Sequence, residues 1–173
     1  MSALYERFRE LPVEKTLFGL EPRENVTEYF CYPEGAGAIG GEGCILYCFL
    51  EGYGETVFAC NPESCADRFV YPLAACFEDF LKLILACGTV NPAEQIVWMD
   101  RAQFEAHLRR ERNARTDAQK QALELLGNMP GIFAMDDPYS YVKNLQNAFD
   151  DSKIRFREEY YDILGLEPPE PEA

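Results

Sequence analysis

An α+β fold is predicted for this chain, with a mostly antiparallel sheet from the first half packed against helices drawn mainly from the second half. Two observations predict it. Runs rich in β-branched and aromatic residues, punctuated by glycine and proline, cluster in the first half, while apolar residues at helical spacing dominate the second. Because the two kinds of segment do not alternate, a layered α+β arrangement is favoured over a doubly wound sheet.

In chain order, residues 1–25 read as a short helix around residues 5–9 followed by irregular, proline-interrupted chain. Residues 26–32 alternate Val26, Glu28, Phe30 and Tyr32 against Thr27, Tyr29 and Cys31, a pattern that predicts a strand. A glycine-rich turn follows. Residues 44–50 are apolar on both parities, as expected of a central strand covered on both faces. Glu51-Gly52-Tyr53-Gly54 has hairpin chemistry, so residues 55–60 should return antiparallel.

Phe77, Phe80, Leu81, Ile84 and Leu85 sit at offsets of an amphipathic helix that ends with Gly88 as a left-handed cap. Asn91-Pro92-Ala93-Glu94 supplies a cap, a first-turn proline and an acid, predicting a short helix leading to Trp98. Asp100 with Gln103 and Thr116 with Gln119 mark two further starts, the second helix closing at Gly127. Asp137-Pro138 opens another helix with Val142, Leu145 and Phe149 on its buried stripe. Residues 156–164 read as a short strand or helix closing at Gly165. Residues 1–166 are expected to form one domain, and the proline- and glutamate-rich residues 167–173 a disordered acidic tail.

Composition narrows the function classes. The 173 residues are 47% hydrophobic and 13% aromatic, far too apolar for a disordered chain. No apolar run reaches the roughly 18–20 residues of a membrane helix, and the Met1 end, with Glu6, Arg7 and Arg9, lacks a signal-peptide core, so a cytoplasmic location with no membrane partner is expected. Seven cysteines, odd in number and without C-x-x-C spacing, are expected to be buried free thiols, not a metal site or disulfides.

Lys plus Arg is 16 against 30 Asp plus Glu, and the resulting charge of −14 disfavours nucleic acid and anionic membranes as partners. A basic protein is the natural complement. From Glu24 to Asp67 there are eight acids and no Lys or Arg, whereas residues 101–115 carry five Arg against Glu105 and Glu111. The first stretch is expected to fold into a coherent anionic surface, with Glu51, Glu55, Glu63 and Asp67 as the partner-binding residues.

Catalytic and cofactor motifs are weak. Gly35-Ala36-Gly37-Ala38-Ile39-Gly40 spells G-x-G-x-x-G, but phosphate binding needs a helix to start within it, and here a β-type run follows between Glu34 and Glu42. The glycines are expected to form a flexible or bulged connection. His107 lies between Glu105 and Arg109 on a charged helix and is expected at the surface. Asp136-Asp137 and Asp150-Asp151 are placed as helix-cap and turn residues by Pro138 and Ser152. The cluster of Arg109, Arg110, Arg112 and Arg115 is expected mainly to neutralise its neighbours. No enzyme activity, cofactor or metal is expected.

Three stretches, residues 33–49, 52–62 and 70–88, together resemble the SUKH superfamily, which includes the yeast cell-wall-assembly regulator and many bacterial immunity proteins. The most specific part is the short strand Val70-Tyr71-Pro72-Leu73-Ala74, a turn, and the F-x-x-F-L helix from Phe77 closed by Gly88. The resemblance implies an α+β domain with a mostly antiparallel sheet. It also implies a non-catalytic binding protein, foremost an immunity protein that neutralises a nuclease or deaminase toxin by stoichiometric binding, and alternatively a regulatory or scaffolding adaptor of a host protein.

Overall fold

The computed structural model of the protein describes residues 2–169. Its centre is a four-stranded antiparallel sheet in the order β1 (Gly37–Glu42), β2 (Ile45–Phe49), β3 (Val57–Cys60) and β4 (Val70–Ala74). Neighbours in sequence are neighbours in space, so the sheet is a simple meander. Around it lie α1 (Ala3–Glu10), α2 (Phe77–Cys87), α3 (Asn91–Gln95), α4 (Arg101–Ala114), α5 (Asp117–Gly127), α6 (Pro138–Asn147) and α7 (Glu158–Leu164). Sheet first and most helices second is the α+β arrangement expected.

Strand alternation divides the core in two. Ile45, Tyr47, Ala59, Tyr71 and Leu73 face one layer, where Phe77, Phe80, Leu81 and Ile84 of α2 pack with Phe104 and Leu108 of α4 and Leu126 of α5. Leu46, Cys48, Phe58 and Cys60 face the other, covered by Cys31, Tyr32, Ile154 and the partly buried Phe30, Phe69, Phe149 and Tyr160. Thus β2, β3 and β4 are buried on both faces, and for β2 this is what the unbroken apolar run predicts.

Local signals account for the helices. Asp100 with Gln103 and Thr116 with Gln119 form reciprocal capping boxes at the starts of α4 and α5. Asp137 caps α6 by accepting from the Ser140 N–H at 3.1 Å. Gly165 closes α7 in the left-handed region, and Gly88 ends α2 with φ +93° and ψ −37°, outside that region. In α3 the helix already includes Asn91, one residue earlier than its expected capping role, and the Asn91 side chain is freed for other bonds. The sheet edge at β4 is covered by α6, whose Gln146 donates to the Pro72 carbonyl at 3.2 Å.

Three expectations are corrected. Residues 26–32 form bends and turns, not a strand. Their buried members, Cys31 and Tyr32, plug the second core layer, and the Tyr32 hydroxyl donates to the Cys44 carbonyl at 2.6 Å, so tertiary contacts override the alternation. Conversely, the glycine-rich segment expected as a connection is the edge strand β1, with a bulge between Ala38 and Gly40. Gly40 and Gly41 are demanded by close approach: a Cβ on Gly40 would lie 3.0 Å from Leu20, and one on Gly41 2.6 Å from the Arg23 guanidinium. Phe149 of the expected α6 stripe lies just beyond that helix, packing on Phe58 in the second layer. The acidic tail expected over residues 167–173 lies partly outside the described residues; residues 167–169 are exposed and without regular secondary structure.

Candidate functional site

The four expected contact acids are all exposed, but they fall into two pairs at opposite ends of β3. Glu51 and Glu55 flank the β2–β3 hairpin, whose turn needs Gly52 and Gly54 at φ +85° and +62°. Glu63 and Asp67 lie on the β3–β4 loop. The eight acids between Glu24 and Asp67 therefore do not make one uninterrupted anionic face. Glu42 turns inward, Glu28 pairs with Arg23 at 3.2 Å, and Glu34 and Glu51 share a cleft of about 380 Å³ with Lys153 and Arg155. Charges distant in sequence have been folded against the acid-only stretch, and composition alone does not carry that information.

The β3–β4 loop is held by Asn61. Its N–H donates to the Phe69 carbonyl at 2.8 Å, its side-chain oxygen accepts from the Glu63 N–H at 2.9 Å, and its amide donates to Glu94 at 3.0 Å. This presents Glu63 and Asp67 outward and brings Phe69 beside aromatic residues from remote parts of the chain. Phe30 and Phe69 meet edge to face at 5.2 Å, Phe30 and Tyr160 lie near parallel at 6.1 Å, and Phe156 stacks on Tyr160 at 3.8 Å. The C-terminal segment is tied on by Arg157 donating to the Tyr29 carbonyl at 2.7 Å, and by the Glu34 N–H donating to the Arg155 carbonyl at 2.8 Å.

These aromatic rings are only partly buried, and further along the C-terminal segment Ile163 and Leu166 are exposed by 55% and 53%. The segments that carry these rings also carry exposed acids, Asp67 two residues before Phe69 and Glu158, Glu159 and Asp162 on α7 with Tyr160, and Arg157 pairs with Glu159 at 3.3 Å. An apolar aromatic centre within a charged rim is the anatomy of a protein-binding surface. Sequence reasoning named Glu63 and Asp67 but not Phe30, Phe69, Phe156 or Tyr160. The stacked pair Phe156 and Tyr160 stands at i and i+4, the one local signal available.

A second polar cluster is wholly internal. Glu94 on α3 has no solvent exposure and accepts from Asn61, Tyr71 and Gln95. Glu42 approaches from β1; burial pushes its carboxyl above the usual range, a hydrogen bond from Asn91 opposes this, and Glu94, Glu21 and Glu111 add to the rise. His107, expected at the surface, is half-buried, with its Nε2 3.1 Å from the Asn91 side-chain oxygen. These groups fasten α3 and α4 to the sheet.

The remaining expected residues fall as follows. Asp137 caps α6 and binds Arg101, and Asp150 accepts from the Ser152 N–H at 3.0 Å, so one of each acid pair serves the cap or turn role expected of it. The glycines of the G-x-G-x-x-G run lie in β1 and before it, with no helix starting there. Arg112 donates to the Ala86 carbonyl at 3.2 Å and Arg115 folds over Gly88, whereas Arg109 and Arg110 are exposed. All seven cysteines are free thiols; Cys31, Cys48, Cys60 and Cys87 are buried, and Cys65 is exposed. Burial pushes the Cys31 and Cys87 thiols up to about 12, which makes both poor nucleophiles. No group of three or more His, Cys, Asp or Glu side chains among the described residues is arranged to hold a metal ion. Among the described residues no helix is long and apolar enough to cross a membrane. No family model matches the chain, and no match is found among curated proteins or solved structures.

Proposed function

We propose that this chain is a non-catalytic protein-binding domain whose partner is a basic protein, docked on the surface centred on Phe69 and Tyr160. The observation that carries the reading is the joining of Phe30, Phe69, Phe156 and Tyr160 into one partly buried aromatic cluster, with Phe69 on the β3–β4 loop that also bears Glu63 and Asp67. Large rigid aromatic side chains supply contact area at low entropic cost, and rim carboxylates steer and orient a cationic partner. Glu51 and Glu55, at the other end of β3, extend the contact toward the hairpin when the partner is large enough to span the strand.

Resemblance to the SUKH superfamily supports a narrower version: an immunity protein that silences a toxin domain, a nuclease or nucleic-acid deaminase, by stoichiometric binding. Such a toxin presents a cationic surface built for phosphate, the complement of the acid-rimmed face. Co-expression with toxin domains encoded beside this gene is the test. Protection of the cells and a one-to-one complex on purification are expected, and Phe69→Ala with Tyr160→Ala should weaken the complex far more than Glu55→Ala. If every such toxin stays fully active and none co-purifies, the reading fails.

A further inference from the structure

We infer that the groove between Trp98 and α4 is a second docking site, which binds an acidic protein segment carrying an apolar anchor. The groove, about 590 Å³, is lined by Trp98, Met99, Gln103, Ala106, Arg109 and Arg110. It lies on the α4 side of the sheet, the opposite face from the aromatic surface of Phe69 and Tyr160. It is a local reversal of charge: residues 101–115 carry +3 (five Arg against Glu105 and Glu111) within a chain of −14.

Contacts within the chain engage three of those five arginines. Arg101 binds Asp137, Arg112 donates to the Ala86 carbonyl, and Arg115 folds over Gly88. Arg109 and Arg110 are exposed and have no hydrogen bond or ion pair among the described residues. Gln103, Ala106 and Arg110 recur at helical spacing, so their stripe runs alongside the indole.

The wall bearing Trp98 is held rigid from several sides. The indole N–H donates to Gln95 at 3.0 Å, Lys143 donates to the Val97 carbonyl at 3.2 Å, and Tyr139 donates to the Met99 carbonyl at 3.2 Å. Trp98 nevertheless stays 40% exposed. A prearranged tryptophan beside two unpaired arginines has the composition of an interface anchor, and little ordering remains to be done on binding. Two guanidiniums select carboxylates, while Met99, Ala106 and the indole face select an apolar or proline side chain between them. A long polyphosphate would extend into the negative field of the rest of the chain, whereas a short acidic peptide confines its charge to the groove.

Trp98 is the chain's single tryptophan, so its emission reports on this groove alone. The probe is a synthetic nonapeptide of alternating glutamate and proline with one central leucine; a lysine-for-glutamate version and a nine-nucleotide thymidine oligomer serve as comparisons. Titrating the full chain with the acidic peptide should give a saturable change in Trp98 emission. Affinity should fall about tenfold in an Arg109→Ala/Arg110→Ala variant, the loss of two exposed charge-assisted contacts. Since both side chains are exposed, the variant should fold normally, and labelled-peptide anisotropy with Trp98→Phe, expected to weaken binding, gives a second readout. No saturable change, equal binding of the lysine peptide, tighter binding of the oligonucleotide, or unaltered affinity in the double variant would overturn the assignment.

Discussion

The Tyr71 hydroxyl donates to Glu94, a carboxylate with no exposure to solvent, and so ties β4 to α3 through the middle of the first core layer. Tyr47 stands in the same cross-strand row, separated from Tyr71 by Ala59, and is just as deeply buried, yet its hydroxyl has no hydrogen-bond partner among the described residues.

Two substitutions of identical chemistry should therefore have opposite consequences. Tyr71→Phe removes one of three donors to a buried carboxyl group and should cost about 1–3 kcal/mol. Tyr47→Phe removes a buried hydroxyl that has no hydrogen-bond partner among the described residues and should be neutral or mildly stabilising. Urea unfolding of both variants decides the matter. Equal losses would mean that the two hydroxyls occupy equivalent environments.

Glu42 leads to a prediction on pH. Its carboxyl is raised in the folded state by burial and by Glu94, Glu21 and Glu111, against the opposing bond from Asn91. The native state then holds the proton more tightly than the unfolded chain does. Stability from this group is complete below the ordinary glutamate range, near about 4.3, and is lost as pH rises through the elevated folded value. Glu42→Gln keeps the shape without the charge, so its stability should fall less than that of the unaltered chain between about pH 4 and pH 8. Parallel pH profiles of the two proteins would refute this.

What could be read from the chain follows how local each signal is. The capping boxes of Asp100 with Gln103 and Thr116 with Gln119, and the α2 stripe from Phe77 to Leu85, involve neighbours within eight residues, so composition and spacing suffice. β1 was not legible because its glycines carry no side-chain pattern. They answer instead to Leu20, Glu21 and Arg23, which reach them from another part of the chain. Residues 26–32 misled for the opposite reason, an alternating pattern whose buried members serve a loop. At the proposed docking surface Glu63 and Asp67 could be named from charge alone. Phe30, Phe69 and Tyr160 span 130 positions and meet only when α7 folds back over the second core layer.

Gly88 should resist replacement on two counts. Its φ of +93° is one that L side chains rarely adopt, and a Cβ there would lie 2.5 Å from the Arg115 guanidinium. Gly88→Ala should cost about 1–3 kcal/mol, seen as roughly 2–4 °C of melting temperature for each kcal/mol. Arg115→Ala added to it should recover the part due to collision but not the part due to backbone strain. Full recovery in the double variant would show that φ contributes nothing, and an unchanged melting temperature in Gly88→Ala would remove both causes.

Arg101 and Asp137 give the last prediction. Both guanidinium nitrogens approach the carboxylate at 3.1 Å, the Ser140 N–H adds a bond at 3.1 Å, and together they hold the Asp137 carboxyl down at about 2, the Arg101 contact contributing most. Here the native state binds its proton more weakly than the unfolded chain, so the stabilisation is present above the ordinary aspartate range and lost as pH falls toward about 2. Both side chains are about half exposed, at 48% and 49%, so solvent screening keeps the pair's contribution to stability small. Arg101→Ala should raise the Asp137 carboxyl in an NMR titration toward, but not fully to, about 3.9, because the Ser140 N–H remains a donor. It should also leave the neutral-pH melting temperature nearly unchanged. An Asp137 titration midpoint that does not move would mean that the cap alone sets it, and that Arg101 lies beside the α6 start without binding it.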